Sequence, residues 1–448
     1  MDQRCGLLWI DVPERADGSD ASQFSLVPVI EKSIGTGAGS CAAERFSSAL
    51  LQKSIAENAD KSAVFPSQNT HIFIEGDNYP ALKCLCESRR GKIDAIYIDP
   101  PYNTGSDFTY NDSRFLRRLP DGSFAGKNDP ARHSAWLSFM SRRLALAREL
   151  LNERGCIFIS IGDEEYARLR LLCDAVFGEE NYVNDFMYVD GKGKKDSWSR
   201  TITQHTLCFA KCKRSLPPFS ATETADWATS NADADARGQW FSGSISFTES
   251  RSNPKHVNYF SITSPSGKTW TRQWLCGKDE MERLIRDGRI YWGKNGNGVP
   301  RKKIFNGEKS FVIPKNIVDC ADSTRKAQRD LDDLLGVKGA FVNPKPVNLI
   351  EYLLEMPAFP RDAVILDFFA GSATTLEAVL RLNKKHGFSF RCICIQSAEQ
   401  AACAEFDTIA DIAYERIRRV MCGYTDARGK RNAPLGGALE YYRLFINV

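Results

Sequence analysis

The chain has 448 residues, 42% of them hydrophobic and 26% charged, with a formal net charge of +4. That length exceeds one small core, so two or three domains of ordinary globular composition are expected. No apolar run approaches the roughly 18 residues of a membrane span, and the first residues lack a basic segment followed by an apolar one, so no membrane association is expected and the cytoplasm is the expected compartment.

Residues 1–70 show no clean period and several Gly/Ser/Asp clusters, and read as an irregular extension. From there "THIFIEGDNYPALKCLCESRRGKIDAIYIDPPY" alternates strand, helix and strand, the pattern of a parallel βαβ unit that delivers Asp77 and Asp99 to one edge of a sheet. In "HSAWLSFMSRRLALARELLNERG", Trp136, Met140, Leu144, Ala147 and Leu151 recur every three or four residues, which predicts an amphipathic helix ended by Gly155. A strand over 156–161 follows, then a helix with Asp163 as N-cap, Glu164 and Glu165 in its first turn, and an end near Gly178.

After Lys213 the texture changes. "LPPFSATETADWATSNADADARG" reads as the entry to an inserted lobe. Residues 251–310 then hold thirteen Lys or Arg against five Asp or Glu, interleaved with Tyr259, Trp270, Trp274, Tyr291 and Trp292. A solvated surface and a nucleic-acid face are both open readings of that stretch, whose short apolar runs suggest hairpins. Near residue 340 the α/β pattern returns, with a helix whose first turn holds Pro346, then strand, tight loop and helix in "DAVILDFFAGSATTLEAVLRLNKKHG", then the strand "FRCICIQ". The expected fold class is α/β and doubly wound, with segments at 71–212, 213–335 and 336–448. The fourteen cysteines are scattered through apolar stretches and read as reduced thiols. The pairs Cys84/Cys86 and Cys392/Cys394 lack histidines at zinc-finger spacing, so no metal is expected.

Two loops carry the chemistry. In "LDFFAGSATT" a strand ends at Asp367 and Phe368, and a small-residue turn leads into a helix, the arrangement by which doubly wound proteins bring a nucleotide-like ligand to backbone N–H groups. It has neither the three glycines of a dinucleotide site nor the lysine of a phosphate loop, so a tight structural turn and a ligand site are both open. "IDAIYIDPPY" is sharper. After a buried strand, Pro100 and Pro101 make a rigid corner without N–H donors, so Asp99 and the Pro100 carbonyl are fixed acceptors beside the flat face of Tyr102. That set complements a primary amine on an aromatic ring.

"DPPYNTGSDFTYND" with "LDFFAGSATT" resembles the amino-directed, S-adenosylmethionine-dependent DNA methyltransferases, in the order of their circularly permuted β group. The continuation of the first resembles the Mod subunits of type III restriction-modification systems, and "GDNYPALKCL", "GCIFISIGDEE", "NPKPVNLIEYLL" and "ERIRR" extend the likeness over about 70–420. The resemblance implies a Rossmann-like methyltransferase fold with 213–335 as target-recognition domain, S-adenosylmethionine as methyl donor, and N6 of adenine in double-stranded DNA as target, reached by base flipping. Residue by residue, it implies that Asp99 and Pro100 hold the target amine, that Pro101 stiffens the corner, and that Tyr102 stacks on the base. It implies that Asp367, Phe369, Ala370, Gly371, Ser372 and Thr374 line the donor, that Asp77 meets its adenine or ribose, that Lys345 meets its carboxylate, and that Gln396 and Glu399 lie by its ribose. Ala373 stands where the family usually has glycine, and an alanine fits there only if φ stays negative. The sequence "QSAE" likewise departs from the family's Gln-Leu-Pro-Glu.

With DNA as the implied substrate, Lys192, Lys194, Lys195, Arg272, Lys294, Arg301, Lys302 and Lys303 become candidates for phosphate and base contacts. A homodimer is also implied by the resemblance; this chain shows no phosphate loop or nuclease signature, so a helicase-nuclease restriction subunit is expected to be separate, or absent if the chain is a solitary methylase. The alternatives are a catalytically impaired DNA-binding specificity subunit, hinted at by Ala373, and methylation of RNA or of a glutamine amide. Asp before the two prolines and the basic insert disfavour the latter.

Overall fold

The computed structural model describes residues 8–12, 24–35, 70–104, 115, 129–191, 198–224 and 236–446. The chain divides into two compact units, Met1–Phe219 with Pro314–Val448, and Ser220–Ile313. The principal strands of the larger unit are β1 (Phe24–Pro28), β2 (Thr70–Glu75), β3 (Ile93–Ile98), β4 (Leu151–Ile161), β5 (Thr203–Ala210), β6 (Val364–Asp367), β7 (Arg391–Gln396) and β8 (Ala438–Ile446). They form one sheet in the order β1-β8-β2-β7-β6-β3-β4-β5, extended beyond β5 by short strands. From β8 to β4 every neighbouring pair is parallel, while β1 and β5 run antiparallel to their neighbours.

The central strands are apolar on both faces because helices cover both. In β3, Ile93, Ile96 and Ile98 pack with α1 (Asn78–Arg89), α2 (Ala131–Leu150) and α3 (Asp163–Phe177). Ala95 and Tyr97 point the other way, into the core formed with α4 (Val347–Glu355), α5 (Thr374–His386) and α6 (Ile409–Cys422). Each fully buried isoleucine or leucine stabilises by roughly 1.5–3 kcal/mol, so the middle of the sheet is a stiff platform for what projects from its C-terminal edge. This is the doubly wound α/β class expected from the sequence.

Two local expectations are corrected. Helix α2 ends at Leu150, and Gly155 lies inside β4 instead of capping the helix. A Cβ there would meet the Asp94 carbonyl oxygen at 2.9 Å, so glycine is required by the close approach of β3. Gly162, not Asp163, is the N-cap of α3, and Asp163 is its first helical residue, where its charge still faces the positive helix end.

The smaller unit holds the hairpin Tyr259–Thr263/Thr269–Gln273, a helix Lys278–Arg286, and a three-stranded sheet in which Ile290–Tyr291 pairs with Arg301–Phe305. Its core is Ile245, Ile262, Trp274, Met281, Leu284 and Ile290. Among the described residues no helix is long and apolar enough to cross a membrane.

Candidate active site

Strands β3 and β6 are parallel neighbours, with Ile365 beside Ala95 and Leu366 beside Ile96. The corner at 99–102 and the loop at 368–373 therefore leave the same edge side by side, the position at which open α/β sheets bind ligands. Two interactions fix the corner from behind. Trp136 Nε1 donates to the Pro101 carbonyl at 2.7 Å, and Asn103, fully buried with φ 56°, donates to the buried carboxylate of Glu165 at 2.6 Å. His133 also bonds Glu165, and Arg132 donates to the Asn103 carbonyl at 2.7 Å.

In front, the Tyr102 hydroxyl donates to Asp99 Oδ1 at 2.9 Å. Burial, reinforced by the Asp99 carboxylate, pushes the Tyr102 hydroxyl well above its usual range, so it remains protonated and a donor. Lys345 Nζ donates to Asp99 Oδ1 at 2.9 Å, to Asp99 Oδ2 at 2.8 Å and to the Tyr102 hydroxyl at 2.8 Å. The resemblance gave Lys345 to the donor's carboxylate; here its charge is neutralised by Asp99 instead. Gly162 lets the Tyr102 ring approach, since a Cβ there would lie 3.0 Å from Cδ2.

Beside this corner lies a cleft lined by Asp77, Asn78, Pro101, Phe139, Phe368, Phe369, Ile395, Gln396, Ser397 and Glu399. It joins one residue of the proline corner to Asp77, Phe369, Gln396 and Glu399, four of the residues expected around the donor. Asp77 caps α1, accepting from Tyr79 N at 2.7 Å, and leaves its side chain 61% exposed to the cleft side. A larger cavity of about 330 Å³ lies at the opposite edge, by Asp94, Arg154 and Phe359, and contains none of the expected residues.

The other expected donor residues turn inward. Asp367 accepts from Phe369 N at 3.0 Å and from the Thr375 hydroxyl, and burial pushes its carboxyl up to about 7. Gly371 N donates to Gln396 Oε1 at 2.7 Å, while Ala370, Ser372 and Thr374 are buried. Ala373 has φ 61°, so the expectation of a negative φ is corrected: the alanine adopts the left-handed shape that glycine would take, at a cost of about 1–2 kcal/mol.

Sequence reasoning missed what holds this loop. Arg416, buried on α6, donates to Ser372 Oγ at 2.9 Å and Thr374 Oγ1 at 2.8 Å, and pairs with buried Glu377 at 2.7 Å. It also missed Arg143, 1% exposed, which donates to Asn78 Oδ1 at 2.6 Å and lies 3.5 Å over the Phe139 ring. The available signal was a charged residue set directly between Met140 and Leu144 on an apolar stripe.

Lys192, Lys194 and Lys195 lie outside the described residues. In the smaller unit, Arg272 lies 5.5 Å over Trp270 and Lys303 4.9 Å over Trp240. Arg301 is turned onto Ser242, with Nε donating to its hydroxyl at 3.1 Å, and Lys302 stands 3.9 Å from Glu308. Lys294 is at the turn after Tyr291 and Trp292.

Residues 93–405 match the family model described as DNA methylase. The chain is 32% identical to the type III restriction-modification enzyme StyLTI Mod subunit of Salmonella typhimurium, over 87% of this chain and 62% of that one. It is 31% identical to the EcoP15I Mod subunit of Escherichia coli, over 78% and 63%. Against the type II methyltransferase M.KpnI of Klebsiella pneumoniae it is 29% identical, over 82% and 91%. The chain thus spans less than two thirds of the Mod relatives it matches. Among solved structures, it resembles the cytosine-N4-specific PvuII DNA methyltransferase at TM-score 0.39 and 13% identity, covering 78% of this chain and 94% of that one. The resemblance read from the two loops is borne out, and the chain belongs to the DNA methylase family.

Proposed function

We propose that the chain transfers a methyl group from S-adenosylmethionine to N6 of adenine in a specific sequence of duplex DNA, as the modification component of a restriction-modification system. The observation that carries this is the Asp99–Tyr102 corner, which grips an ammonium through three oxygen contacts beside a cleft of about 50 Å³ lined by carboxylates and aromatic rings. That cleft offers carboxylates at Asp77 and Glu399 and flat faces at Phe369 and Phe139, which fit the hydroxyls, amine and ring of S-adenosylmethionine. When bound, that molecule supplies a methyl on a positively charged sulfur.

The exocyclic amine of adenine is a poor nucleophile because its lone pair is delocalised into the ring. Asp99 and the Pro100 carbonyl, accepting its two N–H groups, favour the pyramidal nitrogen in which that pair is available. The rigid proline corner supplies orientation, which is most of what a direct displacement needs. As the N–C bond forms in place of the donor's S–C bond, whose electron pair stays on sulfur, the nitrogen gives up one proton on the side where Asp99 accepts. The target lies inside a duplex and is extruded at a cost of a few kcal/mol, offset by stacking on Tyr102 and by phosphate contacts.

The unit Ser220–Ile313, with its cations over tryptophan rings, is the candidate for target recognition. A homodimer, a separate restriction subunit and a cytoplasmic setting belong to this reading, which the Mod names of the relatives support. Ala373 bears on the impaired-subunit alternative: it takes the glycine-like conformation at a cost of about 1–2 kcal/mol, and the hydrogen bond from its N–H to the Ala370 carbonyl keeps the loop closed, which supports the active reading. The test is Asp99→Ala: methyl transfer to duplex DNA should vanish while DNA binding persists, and retained turnover would remove Asp99 from the mechanism.

A further inference from the structure

Lys345 occupies one of the two acceptors that the proposed reaction assigns to the target amine, the Asp99 carboxylate. Its ammonium contacts both Asp99 oxygens and the Tyr102 hydroxyl at 2.8–2.9 Å and lies 4.9 Å from the centre of the Tyr102 ring. With the Tyr102 hydroxyl also on Oδ1, Asp99 is already engaged on both oxygens, and a base entering the corner competes with the ammonium for that carboxylate. The Lys345 side chain is only 9% exposed, so its charge cannot leave without another anion to receive it. Pro346 caps α4 immediately afterwards, which confines the exchange to a swing of the side chain.

The proposed methyl donor carries a carboxylate, and its cleft shares Pro101 with the same corner. We propose that Lys345 is a positioning residue that holds the target amine's seat in the DNA-free enzyme and is drawn off by the donor's carboxylate, so that base capture is conditional on the donor. This rests on the methyltransferase reading above. It makes the binding order a property of one ammonium: without donor the corner stays neutralised and closed, and with donor Asp99 is released to accept N–H. An ion pair that holds the seat in nine molecules of ten would lower the apparent affinity for the flipped base about tenfold.

The experiment uses the full chain and a duplex carrying 2-aminopurine next to the target adenine, which brightens when its neighbour leaves the stack. The target is mapped first by sequencing methylated DNA. In the unaltered protein, S-adenosylhomocysteine, which retains the carboxylate, should raise the signal more than methylthioadenosine, which lacks it. In K345M and K345Q the signal should already be high without ligand, by about tenfold in flipped fraction, and insensitive to either compound. Equal or lower flipping in both variants, or equal responses to the two compounds in the unaltered protein, would overturn the proposal. Absence of any methyladenine from the unaltered protein with S-adenosylmethionine would instead sink the underlying reading and this inference with it.

Discussion

Replacing Arg416 with methionine keeps most of the side-chain volume and removes the charge that ties α6 to the 370–374 loop. In the structure this guanidinium is 4% exposed, pairs with Glu377 at 2.7 Å, and donates to Ser372 Oγ, Thr374 Oγ1 and the Ser372 carbonyl at 2.9, 2.8 and 3.3 Å. Glu377 is itself 3% exposed, and its second partner, Arg381, has a side chain 45% open to solvent. Removing one partner of a buried ion pair costs about 3–5 kcal/mol, and the surviving Arg381 contact places R416M at the lower end, about 3 kcal/mol. Urea unfolding followed through Trp136, which is buried in the larger unit, reads this as a lower midpoint at unchanged slope. Burial works to raise the Glu377 carboxyl, yet Arg416 and Arg381 together hold it below the usual range. A depressed folded value means the stabilisation is present above the ordinary carboxylate range and is lost as pH falls through the folded value, so R416M should lose stability at a higher pH than the parent. The double variant E377Q/R416M, with no stranded charge, should recover more than half of the loss. R416M within about 0.5 kcal/mol of the parent, or a double variant worse than the sum of its singles, would refute the reasoning.

Asp367→Asn addresses a carboxyl that burial raises from 3.8 to about 7. Because the folded form holds its proton more tightly, stability from this group is full below pH 3.8 and declines as pH rises to about 7, by at most about 4 kcal/mol. Melting temperatures at pH 5 and pH 8 should therefore differ less in D367N than in the parent, and an equal difference would show that Asp367 titrates normally. Gly162→Ala would put a Cβ 3.0 Å from Tyr102 Cδ2 and 2.6 Å from Glu164 Oε2, a flexible group. The ring must shift by a few tenths of an ångström, so kcat should fall about tenfold with little change in melting temperature, and an unchanged kcat would remove the ring's position from the mechanism.

What the sequence revealed is what local pattern can carry. Ile93 to Ile98 and Arg391 to Gln396 announce strands buried on both faces, and the prolines after Asp99 announce a stiff corner, because these depend on neighbours along the chain. The contact of Lys345 with Asp99 joins residues 246 positions apart and leaves no periodic trace. Gly155 looked like a helix end because a helix preceded it, whereas the need for glycine came from the Asp94 carbonyl on another strand. Ala373 could not be read either: its left-handed φ is imposed by Arg416, Gln396 and Asp367 holding the residues around it, and intrinsic preference argues the other way.

The strand order has a consequence for biosynthesis. β2 and β3 are made one after the other but are not neighbours, and the gap between them is filled by β6 and β7, translated some 270 residues after β3. Likewise β1 finds its partner only when residues 438–446 have been made. A nascent chain therefore carries unzipped edges until β6 and β7 have been made, and chaperone capture or premature termination before β6 should leave an aggregation-prone fragment in place of a half-enzyme.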